Sequence, residues 1–213
     1  SCIFPVVCKN LNTDPSALLD IYKSVDALPN IKKTFIGSGV RYDLFLYETK
    51  DKNLQKKHKE YWQELILNHV SGRLKVAPEH TSDTVLRSMR KPNFQSFKQF
   101  KKIFDDLNAE FQLKQQLIPY FISSHPTCTK EDMKDLAEIT KNLNFKLEQV
   151  QDFTPTPMTL STDIYYSGYD PYTMKEVYTA RSAKEKLEQK SYFFWYEKSS
   201  NKKINTKKKK RFK

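Results

Sequence analysis

Glycine is scarce in this chain: four residues (Gly37, Gly39, Gly72 and Gly168) among 213. That excludes the Gly-rich loops of P-loop and dinucleotide-binding proteins, which need several glycines at fixed spacing so that backbone N–H groups can approach phosphate. Cysteine is scarce too. Cys2, Cys8 and Cys128 cannot build a disulfide framework, so a reducing compartment, the cytoplasm, is expected. Cys2 and Cys8 are separated by five residues, which is no standard zinc or redox spacing, and the chain contains no CxxC, HExxH or GxSxG. There is no long apolar run and the mean hydropathy is -0.72, so no membrane-spanning helix is expected. The opening SCIFPVVC lacks the charged start and long apolar centre of a secretion signal. The first residue is Ser1, not Met, and the chain is therefore expected to be a processed form or a fragment.

What is present is enough for one core. Hydrophobic residues make up 38% of the chain and aromatics 13%, sufficient for one domain plus an appendage. The net charge is +12, but eight basic residues lie after Asn201 with no acid among them: Lys202, Lys203, Lys207 to Lys210, Arg211 and Lys213. The basicity is thus mostly a lysine-rich tail, residues 201–213, with too little apolar surface to fold. Such a tail is either a solvated end or an arm that binds RNA or DNA phosphates by counterion release.

Hydrophobic periodicity organises the remainder. Asp14-Pro15 starts a helix carrying Leu18, Leu19, Tyr22 and Val25. Residues 32–36 read as a first strand. A helix over 54–69 buries Tyr61, Trp62, Leu65 and Ile66 and leaves His58 and His69 at its surface or edge. Residues 73–77 read as a second strand, followed by a short helix over 84–89. A longer helix then places Phe94, Phe97, Phe100, Phe104, Leu107 and Phe111 on one face. Residues 117–122 read as a third strand. Thr129, with Glu131 and Asp132 in the first turn, caps the next helix. Residues 145–150 read as a fourth strand. Beyond residue 161 the alternation stops: residues 165–169 are aromatic and turn-like, and 181–198 read as a helix ending in Tyr192, Phe193, Phe194, Trp195 and Tyr196.

Strands alternating with helices predict an α/β fold with a parallel sheet, either an open doubly wound sheet or an arc of a β/α barrel. Ligands bind at the carboxyl ends of strands in such folds, and every strand end here is polar. The first offers Ser38, Arg41 and Asp43; the second Glu79, His80 and Thr81. The third offers Ser123, Ser124 and His125; the fourth Gln151, Asp152 and Thr154. Cys128, just past His125, is either a nucleophile beside a histidine or a small loop filler.

Four blocks carry a resemblance: IKKTFIGSGVRYDL (31–44), LKVAPEHTSDTVLRSMRKPN (74–93), QQLIPYFISSHPTCTKEDM (115–133) and FKLEQVQDFTPTPMT (145–159). With the aromatic stretch from Tyr165 to Tyr196, they occur in the order found in YgiQ-type radical SAM proteins, which the chain resembles over nearly its whole length. A shorter echo links VAPEHTSDTVL and FISSHP to methylthiotransferase-like radical SAM enzymes.

The resemblance implies a partial (β/α)6 radical SAM barrel, of which this chain holds strands three to six within residues 1–160. A family-specific C-terminal helical extension follows over 161–200. It implies a [4Fe-4S] cluster on a CxxxCxxC loop, S-adenosylmethionine bound to that cluster, and a 5′-deoxyadenosyl radical made by reductive C–S cleavage. A flavodoxin- or ferredoxin-type electron donor follows from the same chemistry; the substrate is unknown. No CxxxCxxC occurs here, so this portion is not expected to hold the catalytic cluster. By residue-wise carry-over, Glu79, His80 and Thr81 would face the ribose or carboxylate of S-adenosylmethionine, and Arg41 its carboxylate. Ser123, His125 and Gln151 would line the adenine or substrate side. Cys2 and Cys8 match the last two of a cysteine group that could hold an auxiliary iron–sulfur cluster or zinc. Thr127 stands where the family often has glycine, against a close backbone approach to ligand. The alternative function is a non-catalytic RNA- or nucleotide-binding module with a basic tail.

Overall fold

The computed structural model describes residues 2–196. The lysine-rich tail lies outside the described residues. The elements run α1 (Ser16–Asp26), α2 (Tyr42–Phe45), α3 (Lys52–Asn68), β1 (Arg73–Glu79), α4 (Asp83–Ser88), α5 (Phe94–Glu110), β2 (Gln116–Ser123), α6 (Lys130–Asn142), β3 (Gln149–Asp152), α7 (Leu160–Ser167) and α8 (Ala183–Ser191), then a 3₁₀ turn (Tyr192–Phe194). The strands form one parallel sheet in the order β1-β2-β3. Between β2 and β3 the register pairs Tyr120 with Gln149 and Ser123 with Asp152.

The chain divides into two compact units. Of the described residues, the first comprises 2–78 and 90–119, the second 79–89 and 120–196. In the first unit, α5 turns its aromatic stripe inward as its spacing predicts: Phe97 and Phe100 are fully buried, and Phe104 nearly so. The Phe100 ring meets Trp62 of α3 at 4.9 Å and stacks on Tyr42 at 5.3 Å. Helix starts follow local chemistry. The Asp51 carboxylate accepts from the Asn53 and Leu54 N–H groups at the head of α3, and Asn93 accepts from Ser96 N–H at the head of α5. In the second unit, α6 and α8 both open with a complete capping box, Thr129 with Asp132 and Ser182 with Glu185. Phe121, Met133, Leu136, Leu147 and Phe193 form its core.

Several expectations from sequence do not hold. Residues 32–36 form no strand; pairing to β1 on that side is a single parallel bridge, Val40 to Val76. The backbone there binds helix ends instead, with Ile36 N–H donating to His69 O at 2.9 Å. The last strand begins at Gln149, not residue 145, because residues 143–145 close α6. Phe145 N–H donates to Thr140 O, and Asn144 adopts the left-handed conformation (φ 57°). Residues 160–167, with no helix anticipated, form α7, stopped by Gly168 at φ 77°. His58 and His69 are buried, not surface residues. Imidazole Nε2 of His58 lies 2.9 Å from the Thr13 carbonyl.

Candidate functional site: the strand ends of the second unit

The ends of β1, β2 and β3 and the loops after them lie in the second unit. The backbone leaves these strands in conformations that side chains resist. Glu79 has φ 67°, Ser124 φ 59° and Thr127 φ 78°. For a β-branched residue such as Thr127 this costs on the order of 1–2 kcal/mol. The position where sequence set threonine against glycine therefore keeps glycine's conformation.

Buried polar groups cluster along the same strand ends. His80, Ser123, Ser124 and His125 are all at most 3% exposed. Their hydrogen bonds fix their protonation. The Ser82 N–H donates to His80 Nδ1 at 2.9 Å, so the ring proton sits on Nε2. That nitrogen is 3.5 Å from Cys128 Sγ and donates to it. The thiol donates in turn to Gln189 Oε1 at 3.3 Å. His80 is thus a donor to the sulfur rather than a base acting on it. Burial pushes the His80 pKa down to about 4 and the Cys128 thiol up to about 12. Cys128 is a buried neutral thiol, in keeping with a loop filler and not with an activated nucleophile.

His125 has the opposite tautomer. Its Nδ1–H donates to the Pro126 carbonyl at 2.8 Å, leaving Nε2 to accept from Ser161 Oγ at 2.9 Å. Burial lowers its pKa to about 4. Phe153 packs edge-on against the ring at 5.0 Å. Ser123 Oγ donates to Asp152 at 2.9 Å across β2 and β3, and Lys190 reaches the other oxygen of the same carboxylate at 3.4 Å. Gln151 Oε1 accepts from the Tyr120 hydroxyl.

Two buried hydroxyls on these strand ends, Thr81 Oγ1 and Ser124 Oγ, have no hydrogen-bond partner, nor does Thr127 Oγ1 in the following loop. A buried hydroxyl without a partner carries a desolvation penalty of about 1–3 kcal/mol. Such groups can bond to the polar atoms of a ligand.

Of the residues singled out from sequence, Glu79, His80, Thr81, Ser123, His125 and Gln151 lie in this unit. Arg41 lies in the other. Its guanidinium is held on Asp43 by two bonds of 2.9 and 2.6 Å. There it lines a cleft with Tyr42, Ala77, Pro78, Lys91 and Pro92. Cys2 and Cys8 are exposed and linked through their backbones, Cys8 N–H to Cys2 O at 2.7 Å. Neither joins a group of converging ligand atoms among the described residues. Sequence reasoning missed Gln189 and Ser161. Gln189 is 2% exposed yet sits in the highly charged stretch AKEKLEQKS, where nothing marks it from its neighbours. Its side chain accepts from Ser124 N–H and donates to Cys128 O, both at 2.9 Å.

Residues 148–207, which include Gln189, match a family model described as a domain of unknown function, DUF3362. A UPF0313 protein of Bacteroides thetaiotaomicron is 63% identical over 204 residues, covering 96% of this chain and 33% of that protein. One from Porphyromonas gingivalis is 60% identical over 204 residues, 96% of this chain and 32% of that protein. One from Methanocella arvoryzae is 44% identical over 185 residues, 87% of this chain and 29% of that protein. The chain thus spans about one third of the length of the curated relatives it matches. It carries a DUF3362 domain in its C-terminal part and is homologous, along nearly its whole length, to UPF0313 proteins.

Proposed function

We propose that this chain supplies later strands of a cytoplasmic radical SAM barrel, and that the full-length protein is an enzyme acting on a substrate still to be identified. One observation carries the reading. Parallel strands end in the turns Glu79-His80-Thr81 and Ser123-Ser124-His125, where buried hydroxyls of Thr81 and Ser124 await hydrogen-bond partners. Strand ends of this kind are where β/α folds bind ligands. The blocks that resemble YgiQ-type proteins contain these same turns.

The residues present fit the two implied groups unequally. For S-adenosylmethionine the donor set is suitable: Glu79 for ribose hydroxyls, Thr81 and Ser124 for polar edges, and Ser123 and Gln151 alongside. His125, neutral near pH 7, would bind as a dipole rather than a charge. For the [4Fe-4S] cluster the fit fails. Two exposed cysteines and one buried thiol held near pKa 12 make no three-thiolate loop. The cluster ligands would come from the other two thirds of a full-length protein. When bound together, cluster and S-adenosylmethionine supply a 5′-deoxyadenosyl radical. The part of this chain is to hold the nucleoside and exclude water from it.

The test uses a full-length relative that contains this region, reconstituted anaerobically with iron and sulfide. Incubation with S-adenosylmethionine and a strong reductant is expected to release 5′-deoxyadenosine, measured by liquid chromatography. Failure to release it from protein carrying an intact cluster overturns the reading.

A further inference from the structure

In the first unit, Asp26 ends α1, Glu64 lies in the last turns of α3, and His69 follows α3 as its C-cap. One ligand atom from each lies within 4.8 Å of the other two. His69 Nε2 is 3.2 Å from Glu64 Oε1 and 3.9 Å from Asp26 Oδ2. The imidazole is 1% exposed, the carboxylates 27% and 36%.

The hydrogen bonds around the ring decide what this cluster lacks. Thr34 Oγ1 has one proton, donated to Asp26 Oδ1 at 2.6 Å. At His69 Nδ1 that hydroxyl can then only accept, as does the Thr34 carbonyl; both lie 3.1 Å away. Nδ1 therefore carries the N–H. Nε2 faces two carboxylate oxygens, and when it carries no proton three acceptors converge on one point with no donor between them. A proton on Nε2 would reach Glu64 but not Asp26, since 3.9 Å is no hydrogen bond. An ion between them serves all three. Ligands about 2.1 Å from one tetrahedral ion stand about 3.4 Å apart, close to the two separations found. The surroundings match those of a metal-bound histidine, whose second ring N–H is donated to a backbone carbonyl. Asp26 is braced by Thr34, and Asn68 Nδ2 donates to Glu64 Oε1 at 3.1 Å. Tyr22 covers one side of the ring at 4.5 Å. The partly exposed carboxylates leave an entry path and room for water ligands.

We propose that Asp26, Glu64 and His69 bind a divalent transition-metal ion of the zinc class, which fastens the end of α1 and the 31–36 segment to the end of α3. One imidazole nitrogen with two carboxylate oxygens favours zinc or its transition-metal neighbours over magnesium and calcium. The site is independent of the cysteines and of the strand ends of the second unit.

The test is a calorimetric titration of untagged, chelator-stripped 213-residue chain with zinc chloride. One equivalent is expected to bind and to raise the thermal midpoint, with tenfold excess magnesium failing to displace it. Asp26→Asn and Glu64→Gln, at partly exposed positions and checked for native circular dichroism, are each expected to weaken binding at least tenfold. The Cys2→Ser/Cys8→Ser double variant is expected to bind as the parent does. The His69 Nε2 resonance in a nitrogen-15 imidazole spectrum is expected to shift on zinc addition. Absence of saturable binding, binding untouched by both carboxylate variants, or binding lost with the cysteines overturns the proposal.

Discussion

Gln189 grips Cys128 at two points: its amide nitrogen donates to the Cys128 carbonyl at 2.9 Å, and its amide oxygen accepts the Cys128 thiol at 3.3 Å. The same oxygen accepts Ser124 N–H. One side chain of the DUF3362 region thereby satisfies three groups of the loop after β2. Gln189→Ala leaves a buried N–H and a buried carbonyl unpaired, at about 1–3 kcal/mol each. A loss of about 3 kcal/mol in urea-unfolding free energy is expected. A loss under 1 kcal/mol would show that water replaces the amide.

The three thiols should divide by environment. Cys2 and Cys8 are exposed, and Cys128 is buried with its thiol held near pKa 12. Native protein at pH 8 is expected to react with a disulfide reagent at two thiols within minutes, and at the third only after denaturation. Three fast thiols would contradict the closed packing around Cys128.

His80 and His125, both near pKa 4 when folded, return to about 6.5 on unfolding. Between those values the unfolded chain binds two protons that the folded chain refuses, so stability falls as pH drops through this window. From pH 7 to pH 5 the loss is about 2 kcal/mol per histidine. Urea midpoints at the two values measure it. Equal midpoints would mean that both rings protonate in the native state; half the loss would mean that one does.

Thr127 holds φ 78° and a buried hydroxyl without a partner. Thr127→Gly removes both penalties and adds unfolded-state entropy, which offsets about half the gain. A net stabilisation of about 1 kcal/mol is expected from the thermal midpoint. Destabilisation would show that the threonine methyl packs more tightly than its strain costs.

Elements with a strong local signature were legible in the sequence. β1 and β2 fall within two residues of their expected bounds, α5 buries its stripe from Phe94 to Leu107, and Thr129 caps α6 as read; Phe111, expected on the same face, sits past the end of α5 and is exposed. What was not legible depends on partners distant in the chain. Residues 32–36 have strand-like composition, but Thr34 and Ile36 are claimed by His69 and Asp26. His69 looks like any polar residue at a helix end until Tyr22 covers it. Gln189 reads as one more exposed polar residue, because Ser124 and Cys128, which it bonds, lie more than 60 residues upstream. The polar strand ends were visible from residue types alone; their tautomers and their unpartnered hydroxyls required geometry.

The Gln189 clamp also has a consequence in time. Left-handed backbone at Ser124 and Thr127 persists only where surrounding contacts over-determine it, and the amide that pins the loop is 61 residues away along the chain from Cys128. Closing that distance is a late, non-local event in folding. The loop after β2 precedes residue 189 in the chain, so the side chain that satisfies it is made after the loop itself. The left-handed turns of the loop after β2 are therefore held in place only once Gln189 of α8 has reached them.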